Sequence, residues 1–136
     1  MVKDSYTSTR TCVYNINYHI VWCVKYRCRA LVPEIAETLL QELHAIAVNR
    51  GIVIVEANVG DQNHVYVFVS APPKYAVSAI VAWLKGGTAR KLFHEFPDLR
   101  KKLRHGHLWN NSYFVETIGS TGEANIIRYI ERQQSI

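Results

Sequence analysis

A short strand pattern brings an imidazole and a phenol together on one face of a predicted β-sheet. Residues 63–70 read Asn-His-Val-Tyr-Val-Phe-Val-Ser, and successive side chains of a strand point to opposite faces. The valines therefore face a core, whereas His64, Tyr66 and Phe68 face the other side. Because imidazole and phenol groups can both contact a metal ion or a phosphate, this strand is predicted to contribute to a functional site.

A second polar pattern lies near the end of the chain. Asn125, Tyr129 and Gln133 recur every four residues, so on a helix they form one polar stripe beside an apolar face of isoleucines. Tyr129 is then expected at the edge of a packed face, with its hydroxyl accessible. Such a tyrosine can belong to a functional site or be an ordinary boundary residue of an amphipathic helix, and the spacing alone favours the second interpretation.

These side chains need secondary structure to position them. Apolar alternation predicts strands and 3.6-residue spacing predicts helices; the predicted strands are 13–26, 52–59, 63–70 and 112–118, and the predicted helices are 33–50 and about 76–96. Pro33 suits the first turn of the first helix, and Gly51 ends it. Gly86 and Gly87 are expected to weaken the second helix, and a turn at 60–62 predicts a hairpin.

The element order predicts the fold class. A β-α-β-β-α-β order followed by one more helix is typical of an α+β fold with a ferredoxin-like (RRM-like) antiparallel sheet. We expect one domain over residues 1–136, with an N-terminal tail at 1–12, a hinge at 119–122 and the tyrosine helix at 122–134. Ser120 and Glu123 have the spacing of a capping box at the start of that helix.

Composition narrows the classes of partner and site. Sixteen basic residues against eleven acidic ones give a net charge of +5, which favours a polyanionic partner. Basic side chains cluster at 25–29, where an aromatic residue lies among them, at 85–91 and at 100–104. The candidate nucleic-acid contacts are Lys25, Arg27, Arg29, Lys85, Arg90 and Lys91. Three cysteines without C-x-x-C spacing fit neither a disulfide framework nor a zinc site. No apolar run approaches the roughly 20 residues that span a bilayer, so we expect a cytoplasmic protein with no membrane partner.

Five motifs, in order, resemble those of the single-tyrosine HUH transposases, the small TnpA enzymes of bacterial and archaeal insertion sequences that transpose as single-stranded DNA. The motifs are a first strand at 18–27, His-Val-Tyr at 64–66 with Ser-Ala-Pro at 70–72, Leu-Lys-Gly-Gly-Thr-Ala-Arg at 84–90, Leu-Trp-Asn-Asn-Ser-Tyr at 108–113 and Tyr-Ile-Glu-Arg-Gln at 129–133. The resemblance extends over about residues 13–134. Five ordered matches are far more specific than any one short motif.

The resemblance implies a chemistry for the polar residues. Tyr129 matches the tyrosine that attacks a DNA phosphodiester to form a 5′-phosphotyrosine and a free 3′-OH. His64 and Gln133 match ligands of a divalent metal, Mg²⁺ or Mn²⁺, that polarises the scissile phosphate. The implied substrates are single-stranded DNA hairpins at element ends. The implied assembly is a homodimer in which one subunit's tyrosine helix completes the other's metal site and strand 112–118 joins the two sheets.

Tyr66 departs from the family pattern, which has a second histidine at this position. A neutral phenol is a poor ligand for Mg²⁺ or Mn²⁺, so three interpretations stay open. The metal binds weakly through His64, Gln133, water and DNA; Tyr66 binds it as a phenolate; or the chain is a hairpin-binding relative that has lost cleavage. An RNA-binding module that reads bases with its sheet aromatics is a further, less favoured class.

Overall fold

The computed structural model describes residues 6–103, 106–117 and 129–133, and in these ranges the chain forms six strands and two α-helices. The strands are β1 (Thr7–Ser8), β2 (Val13–Tyr14), β3 (Asn17–Cys23), β4 (Val53–Gly60), β5 (His64–Ser70) and β6 (Phe114–Thr117). The helices are α1 (Pro33–Arg50) and α2 (Val77–Glu95), with 3₁₀ helices at Lys25–Arg27 and Pro97–Lys102. Residues 129–132 are helical. The rest of the predicted tyrosine helix, including Asn125 and the capping box, and the predicted hinge lie outside the described residues.

A four-stranded antiparallel sheet in the order β4-β5-β3-β6 organises the fold. The helix α1 connects β3 to β4, and α2 connects β5 to β6, so each crossover skips one strand. This is the ferredoxin-like arrangement. The predicted α+β class and the β-α-β-β-α-β order are therefore confirmed. None of the described helices is long and apolar enough to cross a membrane.

The two faces of the sheet have different roles. On one face, the valines of β5 join Ile20 and Trp22 of β3 in a fully buried core with leucines of both helices. Each such side chain contributes about 1.5–3 kcal/mol when it is buried. The other face carries His19, Cys23 and His64 together with the fully buried Val21 and Phe68. The valines of β5 thus mark the face that packs on the helices, as the alternation predicts.

The prediction of one strand over 13–26 is wrong. The alternation continues through these residues, but β2 pairs with β1 in a separate two-stranded sheet, and β3 begins only at Asn17. The pairing also places part of the predicted N-terminal tail in β1. Beyond β3, Tyr26 and Arg27 have positive φ angles of 60° and 52°. The chain therefore turns here, without a glycine to indicate it.

Helix α1 has the predicted start and end, whereas α2 runs without a break through its two glycines. Gly51 closes α1 in the left-handed conformation at φ 71°, a backbone state that glycine adopts readily. In α2, a Cβ on Gly87 would lie 2.5 Å from Cδ1 of Ile46. Gly87 is therefore explained by the close approach of the two helices, which stabilises α2 by packing and outweighs the low helix propensity of glycine.

Candidate functional site

Tyr129 and Gln133 meet the loop before β6. The hydroxyl groups of Ser112 and Tyr129 share a hydrogen bond of 2.8 Å, and Ser112 Oγ also donates to Gln133 Oε1 at 3.0 Å. Gln133 Oε1 accepts a second hydrogen bond from Nδ2 of Asn110. Gln133 and Asn110 are 4% and 2% exposed. One polar cluster, buried at Asn110 and Gln133 and exposed at Ser112, thus holds the two residues of the last helix that the sequence singled out.

Helix α2 anchors residues 108–112, here called the 108–112 segment. The Lys85 ammonium donates to the backbone oxygens of Asn110 at 2.6 Å and Ser112 at 3.2 Å. In the opposite direction, Nε1 of Trp109 donates to the Lys85 backbone oxygen at 3.0 Å and to Oγ1 of Thr88 at 3.2 Å. The segment that carries Ser112 is therefore tied to α2 by side chains from both sides.

The surroundings of Tyr129 keep its phenol protonated. Burial raises the pKa of Tyr129 above its usual 10, the hydrogen bond with Ser112 lowers it, and the Cys23 thiol, as a thiolate, raises it. Its ring also packs against Phe114, with ring centroids 5.8 Å apart. At neutral pH the group is a neutral, positioned hydroxyl, so it must lose its proton during any nucleophilic attack.

His64 is held by the hairpin turn that precedes it. Its Nδ1 lies 2.9 Å from Oδ1 of Asn63; because that amide oxygen can only accept, Nδ1 carries the proton and Nε2 has a free lone pair. A Cβ on Gly60 would lie 2.3 Å from Nε2, so the ring needs a glycine beneath it. Burial lowers the pKa of His64; Asp61 raises it and Arg27 lowers it further. The neutral imidazole is the form that binds metals.

Tyr66 is paired within the sheet. Its hydroxyl shares a hydrogen bond of 2.7 Å with Nδ1 of His19 on the neighbouring strand. The same imidazole stacks on Phe68 with a centroid distance of 4.7 Å. Burial, followed by the Glu56 carboxylate, raises the pKa of Tyr66, which opposes a phenolate. The side chain at position 66, where the resemblance implies a histidine, is therefore a neutral phenol with a partner of its own.

Cys23 links the two halves of the site. It lies opposite His64 in the β3–β5 pairing, and its backbone oxygen accepts from the Asn110 amide at 2.9 Å. His64 and the 108–112 segment thus flank the end of β3 from opposite sides. Burial raises the pKa of the Cys23 thiol to about 11, despite the charges of Arg27 and Lys85. The thiol is therefore uncharged at neutral pH.

Only part of the predicted donor set suits a divalent cation. Neutral His64 offers an imidazole nitrogen, and Gln133 offers an amide oxygen. Mn²⁺ binds both kinds of donor, whereas Mg²⁺ prefers the oxygen. Tyr66 does not suit it, because its phenol is protonated and bound to His19. In the part of the chain that the structure describes, no three His, Cys, Asp or Glu side chains cluster. By donor chemistry, His64 and Gln133 therefore suit such an ion, whereas Tyr66 does not.

The predicted nucleic-acid contacts divide into two groups. Lys25 lines a cavity of about 510 Å³ beside Lys101 and Lys102, and Arg27 has a buried Nε without a hydrogen-bond partner among the described residues. Arg29 and Arg90 are exposed, and Lys91 forms a 3.1 Å ion pair with Glu95. Lys85 differs from all of these, because its ammonium contacts protein carbonyls. Whether these six residues contact DNA stays a prediction.

Sequence reasoning missed the contribution of Asn110 and Ser112. Both belong to the Leu-Trp-Asn-Asn-Ser-Tyr motif at 108–113, which served only as a landmark of the family. Their polar side chains lie in a loop, and their partners are 17 to 23 positions further along the chain. The motif itself was the available signal, since a buried Asn and a hydroxyl beside a Trp need hydrogen-bond partners.

Comparison with known proteins gives consistent matches over almost the whole chain. The model of the IS200-like transposase family matches residues 12–133. The chain is 41% identical over 121 residues to the ISDra2 transposase TnpA of Deinococcus radiodurans, covering 89% of this chain and 86% of that protein. It is 32% identical to the transposase of insertion sequence IS200 from Salmonella typhimurium, covering 88% and 78%.

Two solved structures resemble the fold. The crystal structure of a protein assigned as a transposase from Deinococcus radiodurans superposes with a TM-score of 0.87 at 37% identity, covering 93% of this chain and 97% of the other. A REP-associated tyrosine transposase bound to a REP hairpin gives a TM-score of 0.56 at 12% identity, covering 94% and 75%. The second likeness concerns the fold alone.

Proposed function

The chain belongs to the IS200-like transposase family, and from this premise we propose that it cleaves and rejoins single-stranded, hairpin-ended insertion-sequence DNA through a covalent tyrosine intermediate. The observation that carries the proposal is the shared Ser112 hydroxyl, which contacts both Tyr129 and Gln133. A nucleophile and a metal-ligand candidate are thereby held together at the end of β3, where His64 lies on the neighbouring strand.

The proposed reaction is a phosphodiester exchange. The Tyr129 oxygen attacks phosphorus and the bond to the 3′ oxygen breaks, leaving a 5′-phosphotyrosine and a 3′-OH, while the phenolic proton is lost to solvent and the departing oxygen gains one. Attack by a 3′-OH on the phosphotyrosine reverses the step and rejoins DNA without ATP, because the number of phosphate ester bonds is conserved. Ser112 orients the phenol before attack, since its hydroxyl lies 2.8 Å from the nucleophilic oxygen.

A divalent metal is part of the proposal. His64 and Gln133 would hold Mg²⁺ or Mn²⁺, which supplies positive charge to the scissile phosphate when bound. The Asn63 side chain supports His64 by fixing the proton on Nδ1, as outer partners of metal-binding histidines commonly do. Arg27 adds a cation on this side of the sheet, as its effect on the pKa of His64 indicates. A guanidinium with a buried, unpartnered Nε is suited to a phosphate.

The DNA path and the assembly are proposed from surfaces near the site. The cavity of Lys25, Lys101 and Lys102 adjoins the 108–112 segment, since the Lys25 amide donates to the Leu108 oxygen at 2.9 Å. Its charge suits the backbone of a DNA strand leading to Tyr129. For the homodimer, β6 is an edge strand whose Val115 is 37% exposed, which suits pairing with the same strand of a second copy.

A covalent-adduct assay tests the proposal. The protein is incubated with labelled, hairpin-containing single strands and Mn²⁺ or Mg²⁺, and adducts are separated on a denaturing gel. We expect a slow-migrating adduct that requires metal and Tyr129. Tight hairpin binding without an adduct under any metal would instead favour the relative that has lost cleavage, an alternative favoured by one observation, the neutral Tyr66.

A further inference from the structure

We infer that Lys85 is a positioning residue, whose ammonium fixes the segment that holds Tyr129 and Gln133 for reaction. The inference rests on the proposed function, because it assigns Lys85 a role in that reaction. It replaces the simpler expectation that Lys85, a lysine in a basic cluster, contacts the DNA backbone.

The first support is the direction in which the ammonium points. A lysine ammonium has three N–H donors, and two of them reach the backbone oxygens of Asn110 and Ser112 at 2.6 and 3.2 Å. Both oxygens belong to a loop and have no strand partner of their own in the described sheet pairing. Lys85 thus supplies hydrogen bonds that regular secondary structure would otherwise provide.

The second support is what these two residues do with their side chains. Ser112 contacts Tyr129 and Gln133, and Asn110 contacts Gln133. Fixing two alternate backbone positions of the loop therefore fixes both side chains that reach the last helix. The chain of contacts runs from α2, through the 108–112 segment, to the nucleophile in two steps.

The third support is a second set of hydrogen bonds between α2 and the same segment. Trp109 lies between the two residues that Lys85 holds, and its Nε1 donates to the Lys85 backbone oxygen and to Thr88 Oγ1. Thr88 is fully buried and Trp109 is 7% exposed. Lys85 therefore acts from a rigid base, which is what precise positioning of a reactive group requires.

A phosphate contact is the competing role, and the surroundings disfavour it. Burial lowers the pKa of Lys85, although the Cys23 thiol raises it again. The half-buried ammonium has one donor left after the two carbonyl contacts. Exposed cations on the same helix, such as Arg90, meet a DNA backbone at lower desolvation cost.

The test separates positioning from binding. Lys85→Met keeps an unbranched side chain only one atom shorter and removes its charge, while Lys74→Met removes an exposed lysine outside the site. For Lys85→Met we expect adduct formation at saturating hairpin DNA to fall about 10- to 100-fold, as displacement of a reacting group by about 1 Å does. Hairpin affinity and its salt dependence should stay unchanged, and Lys74→Met should alter neither quantity.

Two further variants link the effect to the segment. Ser112→Ala, at an exposed residue, should reproduce the rate loss, and the Lys85→Met/Ser112→Ala double variant should lose little more than the worse single one, because both act through one element. Lys85→Arg keeps the charge and should recover part of the rate. The inference is overturned if Lys85→Met reacts at the normal rate with saturating DNA while the slope of log hairpin affinity against log salt concentration becomes smaller by about one. That result would mean that Lys85 contacts a phosphate.

A readout without catalysis distinguishes this inference from the proposed function. Hydrogen exchange measured by mass spectrometry should be faster over residues 106–117 in Lys85→Met than in Lys74→Met. If the unaltered chain forms no adduct but the exchange difference is present, the proposed function fails, whereas the positioning of the 108–112 segment by Lys85 stands. If adducts form normally in both variants and exchange is equal, Lys85 does not position the segment.

Discussion

The two sides of the candidate site are built in different ways. On the tyrosine side, Ser112 and Asn110 connect Tyr129 and Gln133 into one network that α2 anchors. On the histidine side, His64 bonds to Asn63 and Tyr66 bonds to His19, so the two residues of the His-Val-Tyr motif have separate partners. The tyrosine side is therefore a connected unit, while the histidine side consists of independent pairs.

This difference indicates where sequence change is tolerated. A substitution in the connected network disturbs several hydrogen bonds at once, and each buried polar group left without a partner costs about 1–3 kcal/mol. A substitution at 66 exchanges one pair for another, and here His19 satisfies the new phenol. The histidine side can consequently exchange one residue while the hydrogen bonds of the tyrosine side stay complete. Four experiments test this contrast.

The largest effect is expected at the nucleophile. Tyr129→Phe removes the attacking oxygen and should abolish the covalent adduct on denaturing gels, with hairpin binding retained. The matched control is Tyr6→Phe, which changes a tyrosine that is 71% exposed and should leave adduct formation intact. Adducts that persist in Tyr129→Phe would place the nucleophile elsewhere and remove the basis of the contrast.

The next effect concerns position 66, where the resemblance implies a histidine ligand. Tyr66→His should lower the Mn²⁺ concentration that supports half-maximal adduct formation by about 10- to 100-fold, the range typical of changes around a metal site. Tyr66→Phe separates loss of the phenol from gain of the imidazole, and it should leave the metal requirement near that of the unaltered chain. An equal improvement in both variants would mean that the phenol obstructs the site, rather than that a ligand is lacking.

A smaller effect is expected beneath His64. In Gly60→Ala the new Cβ would lie 2.3 Å from Nε2, so the ring must move, and the metal requirement should rise by about tenfold, the low end for a supporting position. Gly86→Ala is the control, since its Cβ would meet only the flexible end of Arg90 at 3.6 Å. If Gly60→Ala binds metal normally, the position of His64 in the resting chain has no bearing on the metal site.

The smallest effect is a pH dependence that belongs to the histidine side. Burial lowers the pKa of His19 and of His64 below 6.5, so below pH 6.5 the unfolded chain binds more protons than the folded one. Their contribution to stability is thus complete above pH 6.5 and is lost as the pH falls. Without metal, the urea midpoint should be lower at pH 5.5 than at pH 7.5. In a His19→Gln/His64→Gln variant, the urea midpoint should differ less between the two pH values. If the difference stays as large, the pH dependence comes from other groups.

The fold was largely predictable because its signals are local. Pro33 and Gly51 mark the ends of α1 by backbone chemistry, and the valines of β5 mark the packing face. The interpretation of 13–26 as one strand failed because alternation reports only which faces side chains occupy. It does not reveal that the amide of Val24 bonds to Asn63 and that the chain then turns.

The site was predictable only in part. Tyr129, His64 and Gln133 came from ordered motifs, and the structure brings Tyr129 and Gln133 to one cluster. The carbonyl partners of the Lys85 ammonium could not be predicted, because charge in a sequence carries no direction and these partners lie 25 and 27 positions away. Likewise, nothing in the composition of β5 indicates that Tyr66 bonds to His19, since that contact depends on the register of two strands.

The Gln133 side chain has a thermodynamic consequence for the proposed metal site. Its Oε1 accepts from both Asn110 and Ser112, which occupies the two lone pairs of an amide oxygen, so a metal held by Gln133 would compete with the protein's own donors for this atom. A DNA strand that drew Ser112 or Asn110 away would raise the affinity of Gln133 for the ion. By reciprocity, the ion would then raise the affinity for that strand by the same factor, and metal and substrate would bind as mutual effectors.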